Sequence, residues 1–269
     1  MDLVTKRGEI ISQDQRSLIS QRYKRVTKAI NAEFWNSCSD VEHSLYVGSY
    51  GRGTAIDTSD IDILVELPRQ EYRRFDNLKG NGQSRLLQSV KNAILETYPR
   101  TDIHADGQVV VMNFQDGIKF EILPAFRQID WLGNWNNKYD YPDANMGGNW
   151  LTTNPKAEQA AMKMKNIESN GLLFDTCKHI RQIRDQHFND YKLPGIVIDS
   201  FVYSYIGGWH WLRDGEQNDG NPKGTYENCL SGYCPFREFK LYAPGSNMEV
   251  NTSNCIGILK DVLDYMTRE

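Results

Sequence analysis

In residues 13–34 the apolar side chains Ile19, Tyr23, Val26, Ile30 and Phe34 recur at steps of three and four. That spacing keeps them on one side of a 3.6-residue repeat and predicts a long amphipathic first helix. The period then changes. Leu45-Tyr46-Val47 runs into Gly48-Ser49-Tyr50-Gly51-Arg52-Gly53, and Ile61, Ile63 and Val65 alternate with Asp60, Asp62 and Leu64, which reads as strand, glycine turn and strand. Helical spacing returns over residues 84–97 through Leu87, Val90 and Ile94, and residues 109–114 and 118–123, separated by an Asp116-Gly117 turn, read as a hairpin.

Residues 130–154 are rich in Asn, Gly and aromatics (Trp131, Trp135, Tyr139, Tyr141, Trp150) and follow neither period, so a crossing between domains is expected there. Beyond them the helical period dominates. Ala157, Ala160, Ala161, Met164 and Ile167 mark one helix, and Leu173, Cys177, Ile180 and Ile183 a second. Ile198, Phe201, Val202, Tyr205, Ile206 and Trp209 mark a third, and Ile256, Leu259, Leu263 and Met266 a last one. The polar run over residues 214–225 reads as a loop, and no internal repeat or low-complexity tract interrupts the pattern. A mixed α/β half, residues 1–150, is therefore expected to precede a helical half, residues 151–269.

Composition narrows the class. With 269 residues, 39% hydrophobic and 25% charged, the chain is an ordinary globular one. No window approaches the roughly 18 uninterrupted apolar residues of a membrane span, and Met-Asp-Leu-Val-Thr-Lys-Arg at the N-terminus leads into no apolar stretch, so neither a membrane protein nor a secreted precursor is expected. The 5 cysteines are an odd number at irregular spacing, which points to reduced thiols and a cytoplasmic location. Cys229, Cys234 and Cys255 with His210 are suitable residue types for a structural zinc, but their spacing fits no common zinc ribbon. A net charge of −4 argues against stable nucleic-acid binding, although Lys6, Arg7, Arg16, Arg22, Lys24, Arg25 and Lys28 crowd the N-terminal part.

The stretch Gly48-Ser49 to Asp60-Ile61-Asp62 carries the chemistry. A Gly-Ser turn leaves backbone N–H groups free for phosphate oxygens, with the Ser49 hydroxyl as a further donor. Alone it is weak, since such turns usually only redirect the chain. Asp60 and Asp62, at i and i+2 of a strand, point the same way while Ile61 and Ile63 point into the core. Like charges so placed repel unless a cation sits between them, and hard oxygen donors suit Mg²⁺, with Mn²⁺ as the alternative. A two-metal phosphoryl-transfer site wants a third acid. Glu121 is an acid inside an otherwise apolar strand, with Lys119 on the same face as its structural alternative partner.

Gly48-Ser49, Asp60-x-Asp62 and an acid in a strand ending Glu121-Ile122-Leu123-Pro124-Ala125 resemble the polymerase-β-type nucleotidyltransferase superfamily. More narrowly, the chain resembles the bacterial cyclic GMP-AMP synthase-like and DncV-like nucleotidyltransferases (CD-NTases) of anti-phage (CBASS) signalling. Tyr141-Pro142-Asp143 through Trp150 to Thr153-Asn154-Pro155-Lys156, the pair Lys165-Asn166, and the basic helix over residues 173–185 are similar to passages of that branch. Two positions depart from it. Glu121 stands where most relatives carry Asp, and Arg181 where they usually carry Lys, with Lys178 one turn earlier on the same face.

The resemblance implies an α+β fold: a polymerase-β-like core of mixed sheet and helices plus a C-terminal helical domain, bilobed about a central cleft. It implies that Gly48, Ser49 and Tyr50 contact the donor nucleotide together with Lys165, Lys178 and Arg181. Asp60 and Asp62 would bind Mg²⁺, and Glu121 would help activate the acceptor hydroxyl. ATP, GTP or other NTPs would be joined into a cyclic di- or trinucleotide read by a downstream effector, the enzyme being a monomer or weak dimer. Two alternatives stand beside this: a nucleotidyltransferase acting on RNA or a small molecule, and a non-catalytic nucleotide or RNA sensor of the same fold.

Overall fold

The computed structural model describes residues 3–217, 220–234 and 240–268, and the chain divides into two compact units. One comprises Ser12–Gly51 and Asp60–Pro155; the other comprises Met1–Ile11, Arg52–Ser59 and Lys156–Glu269.

The first unit opens with α1 (Gln13–Trp35). The Ser12 hydroxyl accepts the Gln15 amide at 3.2 Å and the Gln15 side chain accepts the Ser12 amide at 3.2 Å, a capping box that satisfies two orphan donors. Its apolar stripe buries Ile19, Val26 and Ile30 as the spacing requires. The strands are β1 (Ser44–Tyr46), β2 (Ile61–Glu66), β3 (Asp102–Asp106), β4 (Val109–Asn113), β5 (Lys119–Ile129), β6 (Trp135–Asp143) and β7 (Asn149–Thr153). They form one sheet ordered β1-β2-β5-β4-β3, with β6 pairing β5 and β7 pairing β6. The β2–β5 pair is parallel, and the other pairs are antiparallel.

The parallel pair needs a crossover. It is supplied by α3 (Arg69–Asp76), α4 (Gly82–Thr97) and the β3–β4 hairpin. β2 is buried on both faces beyond its first turn, with Ile61, Ile63, Leu64 and Val65 at most 2% exposed. The β4–β5 turn closes at Gly117, whose φ of 85° is the left-handed conformation the Asp-Gly sequence signals.

Residues 130–154 correct the sequence expectation. They are an ordered extension of the sheet, in which Phe126 pairs Asp140 and Pro142 pairs Trp150. Tyr139 is 1% exposed and packs with Val47, Leu64 and Ala125. A strand with one solvated face rich in Asn carries little period-2 signal, so pairing with the long β5 decides its conformation. The turn at Gly48 is likewise a short helix, α2 (Gly48–Arg52), followed by an irregular segment, rather than a bare glycine turn.

The second unit holds α5 (Pro155–Glu168, from Lys156 onward), α6 (Leu172–His187), α7 (Gly195–Tyr205), α8 (Thr225–Tyr233), the hairpin β8 (Leu241–Tyr242) and β9 (Glu249–Val250), and α9 (Ile256–Met266). Asn166 Oδ1 accepts the Phe174 amide at 2.9 Å, which fixes the turn from α5 into α6. Leu173, Ile180, Val197, Phe201, Leu259 and Leu263 are fully buried in its core. The N-terminal segment joins that core through Val4, and the Leu3 and Val4 amides each donate to Glu227 Oε1 at 2.7 Å. α7 ends four residues before Trp209, since Gly207 at φ 55° leads the chain out of the helix. Among the described residues no helix is long and apolar enough to cross a membrane.

Candidate active site

The acids come from two neighbouring strands of the sheet unit. Asp60 precedes β2, Asp62 is its second residue, and Glu121 is the third residue of β5. In the parallel ladder Asp62 is the direct partner of Glu121, so both stand on one face of the sheet. Lys119, two residues before Glu121, shares that face. Its Nζ lies 3.0 Å from Asp60 Oδ2 and 2.6 Å from Glu121 Oε1. Burial pulls the Lys119 ammonium down, but the two carboxylates raise it above the ordinary lysine value, so it is charged at neutral pH. All three side chains are partly open, at 44% for Asp60, 28% for Glu121 and 35% for Lys119.

Gly48 sits against Asp62. Its φ is 58°, and a Cβ built there would meet Asp62 Oδ2 at 1.7 Å, so the carboxylate fills the space a side chain would take. The Val47 amide donates to the Asp62 carbonyl at 2.8 Å, which ties the start of α2 to β2. Ser49 follows in α2 and is half-buried. Tyr50 packs on Tyr46 with ring centroids 4.8 Å apart, and Tyr46 stacks on Tyr23 of α1 at 4.2 Å. Desolvation raises the Tyr50 hydroxyl despite the opposing charge of Arg16. Tyr50 thus serves the packing of α1 on β1.

Lys165, Lys178 and Arg181 lie in the helical unit. Lys165 pairs with Glu168 at 3.6 Å, and Lys178 Nζ donates to the Gly8 carbonyl at 2.8 Å. Arg181 corrects the sequence expectation. Its side chain is 1% exposed, and its guanidinium donates to Asp199 Oδ1 at 2.7 Å, to the Gly195 carbonyl at 3.0 Å and to the Cys177 carbonyl at 3.3 Å. A guanidinium so enclosed is a core cation and cannot receive a nucleotide phosphate. Asp199 is fully buried and also accepts from Arg52 Nε at 2.8 Å and Thr54 Oγ1 at 3.0 Å, while Arg52 reaches Glu158 at 3.1 Å. Burial pushes the Asp199 carboxyl up, but Arg181 and Arg52 outweigh it and hold it at about 2.

The sequence reading missed this network and the Lys119–Asp60 link. Lys119 had a signal in its i−2 spacing from Glu121, whereas Asp199 had none. The donor set around Lys119 is oxygen-only, the donor chemistry that hard divalent ions such as Mg²⁺ take, and the Lys119 ammonium sits between two of its members. With the side chains as they stand, no group of three His, Cys, Asp or Glu residues is gathered tightly enough to hold a metal among the described residues. That applies also to Cys229, Cys234 and Cys255, and to His210, which meets Glu216 at 3.2 Å.

Residues 8–166 match the family described as the Second Messenger Oligonucleotide or Dinucleotide Synthetase (SMODS) domain. The chain belongs to that family and is a nucleotidyltransferase. No curated protein matches it in sequence. Its fold is similar to that of the CdnE cyclic dinucleotide synthase of Elizabethkingia meningoseptica, solved with GTP and Apcpp, at 13% identity over 98% of this chain and 95% of that one, with a TM-score of 0.63. It is also similar to the di-nucleotide cyclase DncV of Vibrio cholerae, at 11% identity, 98% and 89% coverage and a TM-score of 0.60. The CdnG enzyme of Bradyrhizobium diazoefficiens, in complex with GTP, aligns at 12% identity over 95% and 83% of the chains, with a TM-score of 0.57. All three share the α+β fold described above.

Proposed function

We propose that the protein is a Mg²⁺-dependent synthase that joins NTPs into a cyclic di- or trinucleotide second messenger, releasing pyrophosphate, within a bacterial anti-phage response. The observation that carries this is the placement of three acids on one sheet face, with Asp62 and Glu121 in register and a cation held between Asp60 and Glu121. Membership of the family supports the reaction class.

Asp60, Asp62 and Glu121 are the residues that would hold the metal, and Glu121 would help activate an acceptor ribose hydroxyl. A bound divalent ion supplies charge neutralisation on the triphosphate and lowers the pKa of the attacking hydroxyl. Gly48 lets the backbone approach the donor phosphates, and Ser49 offers a hydroxyl donor. Lys165, Lys178 and Tyr50 keep the nucleotide-contacting role that the family resemblance implies, Tyr50 while packing on Tyr46. Attack of the hydroxyl on the α-phosphorus breaks its bond to the bridging oxygen and expels pyrophosphate; a second round on the linear product closes a dinucleotide ring, and a third closes a trinucleotide ring. Solved relatives with GTP, and with GTP and Apcpp, make purine triphosphates the first substrates to try. The sheet unit is read as the catalytic core, and a separate effector would bind the product.

The experiment is incubation with all four radiolabelled NTPs and Mg²⁺ or Mn²⁺, followed by phosphatase and chromatography. A low-mass, phosphatase-resistant product is expected, and omitting one NTP at a time names its bases. Label that is entirely released by phosphatase, under both metals and all NTP mixtures, would overturn the proposal.

A further inference from the structure

Resting on the reading of Asp60, Asp62 and Glu121 as the metal-binding acids, the geometry points to Lys119 as a built-in counter-cation that a divalent ion must displace, so that the nucleotide-free protein binds metal weakly. One ammonium bridges two of the three acids, at 3.0 Å and 2.6 Å, in the place where a metal would neutralise them. β5 fixes Lys119 there, because residues two apart on a strand share a face and the β2–β5 register brings Asp60 to its side. The lysine stem is four carbons long and 35% exposed, so the ammonium can swing into water without unfolding anything.

The consequences are physical. Without Lys119 three carboxylates would repel one another across the β2–β5 ladder. With it one of the three negative charges is offset until a triphosphate arrives carrying its own metal. Loading is thereby coupled to the nucleotide. Lys119 acts on the metal through the acids and is a positioning residue.

The test is Mn²⁺ binding to nucleotide-free protein, followed by electron paramagnetic resonance of the free ion, for the parent, Lys119→Met, Lys119→Arg and Asp60→Ala. Exposed ion pairs are individually weak, so releasing two of them is expected to tighten Mn²⁺ binding roughly three- to thirtyfold in Lys119→Met. Lys119→Arg, which keeps the charge, is expected to stay within about threefold of the parent. Should Lys119→Met fail to fold, Lys119→Gln carries the same expectation. Mn²⁺ bound by the parent and lost in Asp60→Ala, yet no tighter in Lys119→Met, overturns the role of Lys119 and leaves the metal reading standing. Equal tightening in the Met and Arg variants also overturns it, since charge would then not be the cause. No Mn²⁺ bound by any of the four proteins overturns both.

Discussion

Asp62 faces Glu121 across the parallel ladder of β2 and β5. Two acids so paired gain nothing for the sheet, because like charges on one face repel, so their use lies in what they hold together. Asp60→Ala and Asp62→Ala are each expected to reduce cyclic product below detection in the radiolabel assay. Their melting temperatures should stay within a few degrees of the parent, since neither change opens a core cavity. Product surviving in both variants would remove these acids from the metal site.

Glu121 reaches one methylene further from β5 than an aspartate would. Glu121→Gln, which keeps the shape and loses the charge, is expected to remove most turnover, about 100-fold or more. Glu121→Asp should retain activity or raise it, read as initial rate across a Mg²⁺ and Mn²⁺ series. A Gln variant as active as the parent would exclude Glu121 as the third acid.

Gly48 has no room for a side chain, because the Asp62 carboxylate lies 1.7 Å from where a Cβ would stand and the φ of 58° already disfavours one. Gly48→Ala is expected to destabilise the protein by about 1–3 kcal/mol and to push Asp62 out of line with Glu121. The rate should fall by about 100-fold. Urea midpoints and initial rates of the same preparation check both, and a fully active, equally stable variant would show that this close packing is dispensable.

Asp199 bridges two buried guanidiniums, those of Arg52 and Arg181. Asp199→Ala leaves Arg181 charged with no carboxylate partner in the helical core and Arg52 with Glu158 alone, a loss of about 3–5 kcal/mol in denaturant unfolding. A change within 1 kcal/mol would deny the network its role.

The same carboxyl sets a pH dependence. Its folded value, about 2, lies below the ordinary aspartate value of about 3.9. The stabilisation is therefore fully present above pH about 4 and is lost as pH falls from there through about 2, a contribution on the order of 2 kcal/mol. Urea midpoints measured between pH 6 and pH 2.5 should fall more steeply for the parent than for Asp199→Asn. Parallel curves would assign the acid sensitivity elsewhere.

How far the chain could be read from its sequence follows from where each determinant lies. α1, the β4–β5 hairpin and β2 were legible because their side-chain period is local and their caps and turns carry their own chemistry: Ser12 with Gln15, Asp116 with Gly117. β6 and β7 were not, since Asn-rich strands take their conformation from pairing with β5. The motif acids Asp60, Asp62 and Glu121 fell together on one face of the sheet, with Gly48 of α2 against Asp62. The bridge from Lys119 to Asp60, 59 residues apart, needed the register of a parallel pair that no local pattern encodes. Arg181 misled for a related reason: a basic helix reads the same whether its arginine meets solvent or a buried aspartate.

The eight residues Arg52–Ser59, lying in sequence between two strands of the sheet, belong to the helical unit, and their anchor is Asp199, 147 positions downstream of Arg52. During synthesis at about 5–20 residues per second, Arg52 leaves the ribosome roughly 7–30 seconds before its partner exists. For that interval the nascent chain carries the Arg52 guanidinium without the Asp199 carboxylate that accepts from it. The helical unit therefore cannot close on its own as it emerges. Translation must pass residue 199 before the segment beside Gly48-Ser49 is locked in place, so a chain arrested earlier is expected to remain inactive.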